Sequence, residues 1–143
     1  MDLNSITIRK FNKDDVNNGL LKTLSEIWYI TKISDETIDK FISNNNHLYV
    51  VEFNNKIIGC ATLHLQQKLI RDGAIAGFIE EVAIHSDYRG HNIGSMLIQH
   101  LINESKKFNC YKVVLTCFPE RENFYLKNGF YNESINMRYN PEY

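Results

Sequence analysis

Two kinds of chemistry are legible in EEVAIHSDYRGHNIGSML (80–97). Arg89-Gly90-His91-Asn92-Ile93-Gly94-Ser95 follows a strand-like segment and opens a helical pattern, so the amides from Gly90 to Ser95 project from a helix N-terminus, where phosphate binds readily. Gly90 and Gly94 would let a ligand approach the backbone without meeting a Cβ, and Arg89 and His91 add charge and hydrogen bonds. A plain strand-to-helix turn with surface charges fits the same residues. Glu80 and Glu81 have the types for acid–base work, but neighbours on a regular strand point to opposite faces. That excludes a dyad and leaves one carboxylate for substrate and one for structure. Tyr125, in ENFYLKNGF (122–130), reads on its residues alone as an aromatic on a packed helix face, since Phe124, Tyr125 and Leu126 cannot all face the core. Lys68, Arg71, Lys112 and Arg138 could hold an anion, although such cations taken singly are usually solvated.

Periodicity and cap chemistry give the elements that position these groups. ITIRKF (6–11) reads as a strand, and Asp14 or Asp15 is expected to cap a helix through LLKTLSEIW (20–28). A second helix starts at Ser34, where Ser-Asp-Glu supplies a cap and an acidic first turn. HLYVVEF (47–53) and IIGCATLHL (57–65), joined by Asn54-Asn55-Lys56, form a hairpin, and GFIEEVAIH (77–85) is another strand. Ile93, Leu97 and Leu101, with Met96, Ile98 and Ile102 alongside, set a helical period that ends near Lys106 and Lys107. KVVLTC (112–117) is a short apolar strand, ERENFYLKNG (120–129) a helix closed by Gly129, and FYNESINMRY (130–139) a last strand. The fold class is α/β: a mixed sheet, antiparallel early and parallel around the long helix, flanked by helices.

A length of 143 residues and 43% hydrophobic content suit one domain spanning 1–143. Sixteen Lys and Arg against seventeen Asp and Glu leave a net charge of −1, so no global field draws nucleic acid or an anionic membrane, and anion recognition must be local. No apolar run approaches a signal peptide or a bilayer span, which points to a soluble, cytoplasmic protein. Cys60, Cys110 and Cys117 lack metal-site spacing, so reduced thiols and no metal are expected. Asparagine is abundant in FISNNNHLYV and VEFNNKIIG and reads as compositional bias in turns.

Arg89-Gly90-His91-Asn92-Ile93-Gly94 resembles the R/Q-x-x-G-x-G/A pyrophosphate loop of the GNAT superfamily of acetyl-CoA-dependent N-acetyltransferases, with Asn92 where most members place glycine. GFIEEVAIHSDYRGHNIG, NCYKVVLTC (109–117) and ENFYLKNGF together resemble the glucosamine-6-phosphate N-acetyltransferase family within it, and the similarity runs from about residue 47 to Tyr139. That family typically reads G-H-I-E-D-V, C-Y-K and F-Y-x-K-x-G-F in the three places.

The resemblance implies a single-domain GNAT fold and acetyl transfer from acetyl-CoA, a co-substrate, to a hexosamine phosphate in the route to UDP-N-acetylglucosamine. Acetyl-CoA would be held by Val82, Ile84, Arg89, Gly90, His91, Asn92, Ile93, Gly94, Ser95, Asn123 and Tyr125. The sugar would be held by Lys68, Leu69, Ile70, Arg71, Glu80, Glu81, Val82, Tyr111, Lys112 and Arg138. Tyr125 would assist the departing thiolate, Glu80 would be the acid–base candidate, and a β-bulge near Val82 would polarise the acetyl carbonyl. Glu81 replaces the usual aspartate. Thr116 stands where an acid is common and cannot serve as a base, so the amine proton should leave through water or a backbone carbonyl. Trp28 replaces a threonine near the sugar phosphate and is as well suited to the core. A homodimer sharing its active site is implied by the same analogy, with the strand carrying Arg138 packed on the partner. A GNAT enzyme acting on another small amine or a protein N-terminus, and a non-catalytic acyl-CoA-binding module, remain alternatives.

Overall fold

In the computed structural model, which describes residues 1–142, five strands pair in chain order: β1 (Ile6–Lys10), β2 (Asn46–Phe53), β3 (Lys56–Gln67), β4 (Ile75–Ile84) and β5 (Cys110–Val114). The pairings from β1 to β4 are antiparallel and β4–β5 is parallel. A parallel pair needs a long crossover, and the helix α3 (Ile93–Lys107) supplies it. The other helices are α1 (Leu21–Leu24), α2 (Asp35–Ser43) and α4 (Glu122–Lys127). The expected mixed α/β class is therefore observed.

Strand alternation divides the core into two layers. Tyr49, Val51, Ile58, Ala61, Leu63 and Ile79 pack on Ile93, Leu97, Ile98 and Leu101 of α3. Val50, Ile57, Cys60 and Ala83 pack on Val16, Leu20 and Ile38 from the other side. Each fully buried aliphatic side chain contributes about 1.5–3 kcal/mol, so α3 is anchored by its apolar stripe rather than by propensity.

Several boundaries differ from the sequence reading. The first helix is capped by Asn12, not Asp14 or Asp15: its side chain accepts from the Asp14 N–H at 3.1 Å, and the Asp15 carboxylate accepts from the Asn12 N–H at 2.9 Å. Gly19, at φ +114°, then breaks the helical path, and α1 stops at Leu24. β5 begins earlier than expected and leaves the sheet at Val114, so Leu115, Thr116 and Cys117 lie outside it. The last strand does not form. No strand occurs in 130–142, and Ile135, Met137 and Tyr139 are 86%, 88% and 85% exposed. Apolar alternation without a neighbouring strand to pair with cannot hold a strand in water.

The abundant asparagines have a conformational purpose that compositional bias does not describe. Asn45, Asn54, Asn55, Asn92 and Asn109 all have φ between 49° and 63°, the left-handed region that asparagine tolerates better than other non-glycine residues. Asn54-Asn55 thereby forms the two-residue hairpin turn between β2 and β3.

Asp15, 3% exposed, binds Arg9 through both carboxylate oxygens at 2.8 Å, while Arg9 also reaches Glu52 at 2.6 Å. Burial pushes the Asp15 carboxyl upward, but the hydrogen bonds from Arg9 and Asn12 outweigh it and hold the group below its ordinary value. A depressed carboxyl stabilises the fold above its unfolded-state pKa and loses that contribution as pH falls through the folded one. Asp15→Asn should cost about 2–4 kcal/mol at pH 7 in urea denaturation, because it strips Arg9 of a buried partner, and should flatten the decline in stability below about pH 4.

Candidate active site

β4 and β5 stay paired only from Ile75–Cys110 to Phe78–Val114. Beyond that point β4 continues to Ile84 while β5 has ended, so the strands part and leave the Ile79–Ile84 stretch without a partner on that side. Within this stretch Thr62 faces Glu80 and Cys60 faces Ala83, so Ala61 is opposed by two residues, Glu81 and Val82. That is a β-bulge, present where it was expected, with its left-handed residue at Glu81 (φ +51°). The bulge also undoes the opposite-face argument for the two glutamates: both are exposed. The Glu81 carboxyl is pushed above its ordinary value, first by partial desolvation and then by the charge of Glu80, even though much of the residue is open to solvent. Across from Glu80, the buried Thr62 hydroxyl has no hydrogen-bond partner among the described residues. Such an orphan costs about 1–3 kcal/mol and tends to collect beside functional sites.

The loop at the start of α3 is built from backbone conformation more than from side chains. Gly90 adopts φ +83°, and a Cβ there would meet no protein atom within 4 Å, so glycine is required for the dihedral and the space above it is open. Asn92 is the N-cap residue in the left-handed region, and the Met96 N–H returns to its carbonyl at 3.1 Å. The amides of Ile93, Gly94 and Ser95 head a 15-residue helix, whose dipole favours an anion there. Gly94 has a different task from the one expected: a Cβ would lie 3.2 Å from the Phe124 ring, so its bareness lets α4 pack on α3. His91 is exposed.

Tyr125 lies half-buried between Phe124 and Phe130, with ring centroids 4.9 and 5.8 Å away, and packs against the α3-side core. Burial first, and the neighbouring Cys117 second, push its phenol above the ordinary value, so the hydroxyl keeps its proton at neutral pH. Phe124 and Tyr125 share the inner side while Leu126 is 44% exposed. Asn128 locks α4 in place: its amide donates to the Ser95 hydroxyl at 3.0 Å and the Phe124 carbonyl at 2.9 Å, and Gln99 donates to it at 3.2 Å. Asn123 is exposed on the same helix.

Three of the four candidate cations gather at the far end of β4 and β5. The Arg71 guanidinium lies 4.8 Å from the Tyr111 ring centroid, Lys112 Nζ lies 5.7 Å from the same ring, and Lys68 Nζ lies 5.5 Å from that of Phe78. None of the three pairs with a carboxylate among the described residues. Arg71 and Asp72 both hold positive φ, a strained turn that presents the guanidinium. Leu69 and Ile70 stand out into solvent, as does Trp28 at 83% exposure, so Trp28 is not a core residue. Arg138 is not with this group: in the extended tail it donates to Asn140 at 2.6 Å.

The model of the Acetyltransferase (GNAT) family matches residues 14–130. The chain belongs to this family. It is similar to glucosamine 6-phosphate N-acetyltransferase of Arabidopsis thaliana, 30% identical over 91% of this chain and 93% of that protein, and to the Candida albicans protein of that name, 28% identical over 92% and 93%. A crystal structure of the Arabidopsis thaliana protein superposes with a TM-score of 0.86 at 28% identity, covering 96% of this chain and 99% of that one. A Trypanosoma brucei acetyltransferase superposes with a TM-score of 0.89 at 27% identity, covering 95% and 99%.

Within a GNAT loop, asparagine at position 92 keeps the backbone shape that glycine usually provides. Asn92→Gly should therefore leave acetyl-CoA affinity within about threefold of wild type, whereas Asn92→Val, a β-branched residue at φ +63°, should weaken it by about tenfold or more in calorimetric titration. Sequence reading of this GNAT chain passed over Asn128, which looked like ordinary helix termination in K-N-G, and Glu26, which meets Arg89 across 63 positions with no local signal.

Proposed function

We propose that this GNAT chain transfers the acetyl group of acetyl-CoA to the amine of glucosamine 6-phosphate, giving N-acetylglucosamine 6-phosphate and CoA in the route to UDP-N-acetylglucosamine. The observation that carries this reading is the near full-length similarity to proteins named for that reaction. The unpaired cations Lys68, Arg71 and Lys112 around Tyr111 support an anionic acceptor.

Acetyl-CoA supplies an acetyl thioester. The amides of Ile93, Gly94 and Ser95 and the α3 dipole hold its pyrophosphate, and Val82 and Ile84 on the unpaired part of β4 offer main-chain groups to the pantetheine arm. Lys68, Arg71 and Lys112 hold the sugar phosphate, while Glu80 accepts from the sugar and orients its amine. A new N–C bond forms as the C–S bond breaks. The amine proton passes to water, since Thr116 cannot take it, and the Tyr125 hydroxyl gives its proton to the leaving sulfur. No group of three or more His, Cys, Asp or Glu side chains gathers as a metal site among the described residues, and none of the helices there is long and apolar enough to cross a membrane. The exposed thiol of Cys117 suits a reducing compartment such as the cytoplasm.

The functional unit is a homodimer. β5 is an edge strand, and the tail offers Ile135, Met137 and Tyr139 at alternating positions with nothing to cover them. A second copy supplies that cover, and Arg138 then reaches the partner's cation cluster.

Thiol release measured with glucosamine 6-phosphate, glucosamine and spermidine tests the reading. The phosphorylated sugar should be acetylated at least about tenfold more efficiently than the other two, as one phosphate contact to charged groups is worth roughly 1.5–3 kcal/mol. Preference for spermidine would make the chain a different amine acetyltransferase, and no thiol from any acceptor would make it a binding module.

A further inference from the structure

Arg89 enters the loop with much of its hydrogen-bonding capacity already engaged. Glu26, just past α1, reaches it with Oε2, which accepts from Arg89 Nη2 at 2.9 Å. The other oxygen of the same carboxylate, Oε1, accepts from the Ser86 N–H at 2.8 Å. Arg89 Nε donates to the Ile84 carbonyl at 3.1 Å, and the Arg89 N–H closes on the Ser86 carbonyl at 3.3 Å. One carboxylate thus grips both ends of the short turn (Ser86–Tyr88 and its cap Arg89) that joins the end of β4 to Gly90. The Glu26 side chain is 23% exposed and Arg89 is 48% exposed. The Ser86 N–H above all, with Arg89 adding to it, holds the Glu26 carboxyl below its ordinary value, so it is charged at neutral pH.

A negative charge this close to an anion site opposes the ligand, so its presence calls for a compensating benefit. The geometry supplies one. Two of the five guanidinium donors are used, which fixes the plane of the group, and the Nη1 donors stay available. We propose that Glu26 is a positioning residue for the loop: it orients Arg89 and the Ser86–Arg89 turn before the ligand arrives, so that less ordering remains to be done on binding. This rests on the reading that the loop takes the pyrophosphate of acetyl-CoA.

Acetyl-pantetheine separates the two ideas, because it carries the same thioester and arm without the pyrophosphate. Wild type should favour acetyl-CoA strongly in kcat/KM. Glu26→Ala should cut that preference by about tenfold, through KM for acetyl-CoA rather than kcat. Glu26→Gln should lose less, since its amide oxygen still accepts from the Ser86 N–H. Thermal unfolding of each variant reports whether it is folded, and Glu26→Gln decides if the alanine variant is not. A wild type without preference would bring down the pyrophosphate reading and this proposal with it. A wild-type preference that both folded variants keep in full would overturn the role of Glu26 alone.

Discussion

Tyr125→Phe lowers kcat by about a hundredfold while the KM values for acetyl-CoA and the amino sugar stay within about threefold. The substitution removes one hydroxyl and leaves the ring between Phe124 and Phe130, so packing of α4 on α3 is preserved. What disappears is a donor whose proton is secured by burial and whose contact strengthens as charge builds on the leaving sulfur. Because the effect belongs to the transition state, it separates kcat from KM. A steady-state comparison with both substrates varied checks it, and a pre-steady-state burst shows whether product release masks the chemical step. Unchanged single-turnover rates would return Tyr125 to a packing role.

The second large effect concerns the tail. Ile135→Asp combined with Met137→Asp should weaken self-association by at least about a hundredfold, as each aliphatic side chain withdrawn from burial costs roughly 1.5–3 kcal/mol and every 1.4 kcal/mol is tenfold. Sedimentation velocity across a concentration series measures it, and acetylation of glucosamine 6-phosphate should fall together with the assembled fraction. Arg138→Ala is the companion: it should stay assembled and raise KM for the phosphorylated sugar by about tenfold, with acetyl-CoA affinity near wild type. A doubly charged variant that sediments as wild type does would remove the tail from the interface.

The sequence made the sheet and the long helix readable because their signals are local: alternation in β2 and β3, the 3.6-residue period of α3, the Ser34 cap and the Gly129 stop. The loop was readable for the same reason, since its dihedrals are set by Gly90 and Asn92 within a few positions of each other. What stayed hidden depends on partners distant in sequence. Asp15 looked like a cap because its tie to Arg9 runs through a strand neighbour rather than along a helix. Glu80 and Glu81 were assigned to opposite faces because a bulge is a mismatch between two strands and one strand alone does not reveal it. The terminal segment has the pattern of a strand, but pattern decides a strand only when an edge is available to pair with it, and within one copy that edge is not taken.

The five left-handed asparagines also act on the unfolded chain. Glycine at such a position adopts the dihedral without strain but roams widely when unfolded, and fixing it costs roughly 0.5–1 kcal/mol more than fixing a residue with a side chain. Asparagine accepts a comparable local strain in exchange for a narrower denatured ensemble, so the two residues nearly balance in net stability. They do not balance in stiffness. With Asn45, Asn54, Asn55, Asn92 and Asn109 at its turns, the chain samples fewer loop shapes in the native state than a glycine-rich relative would, and at position 92 that stiffness sits at the start of the helix where an anion would be received.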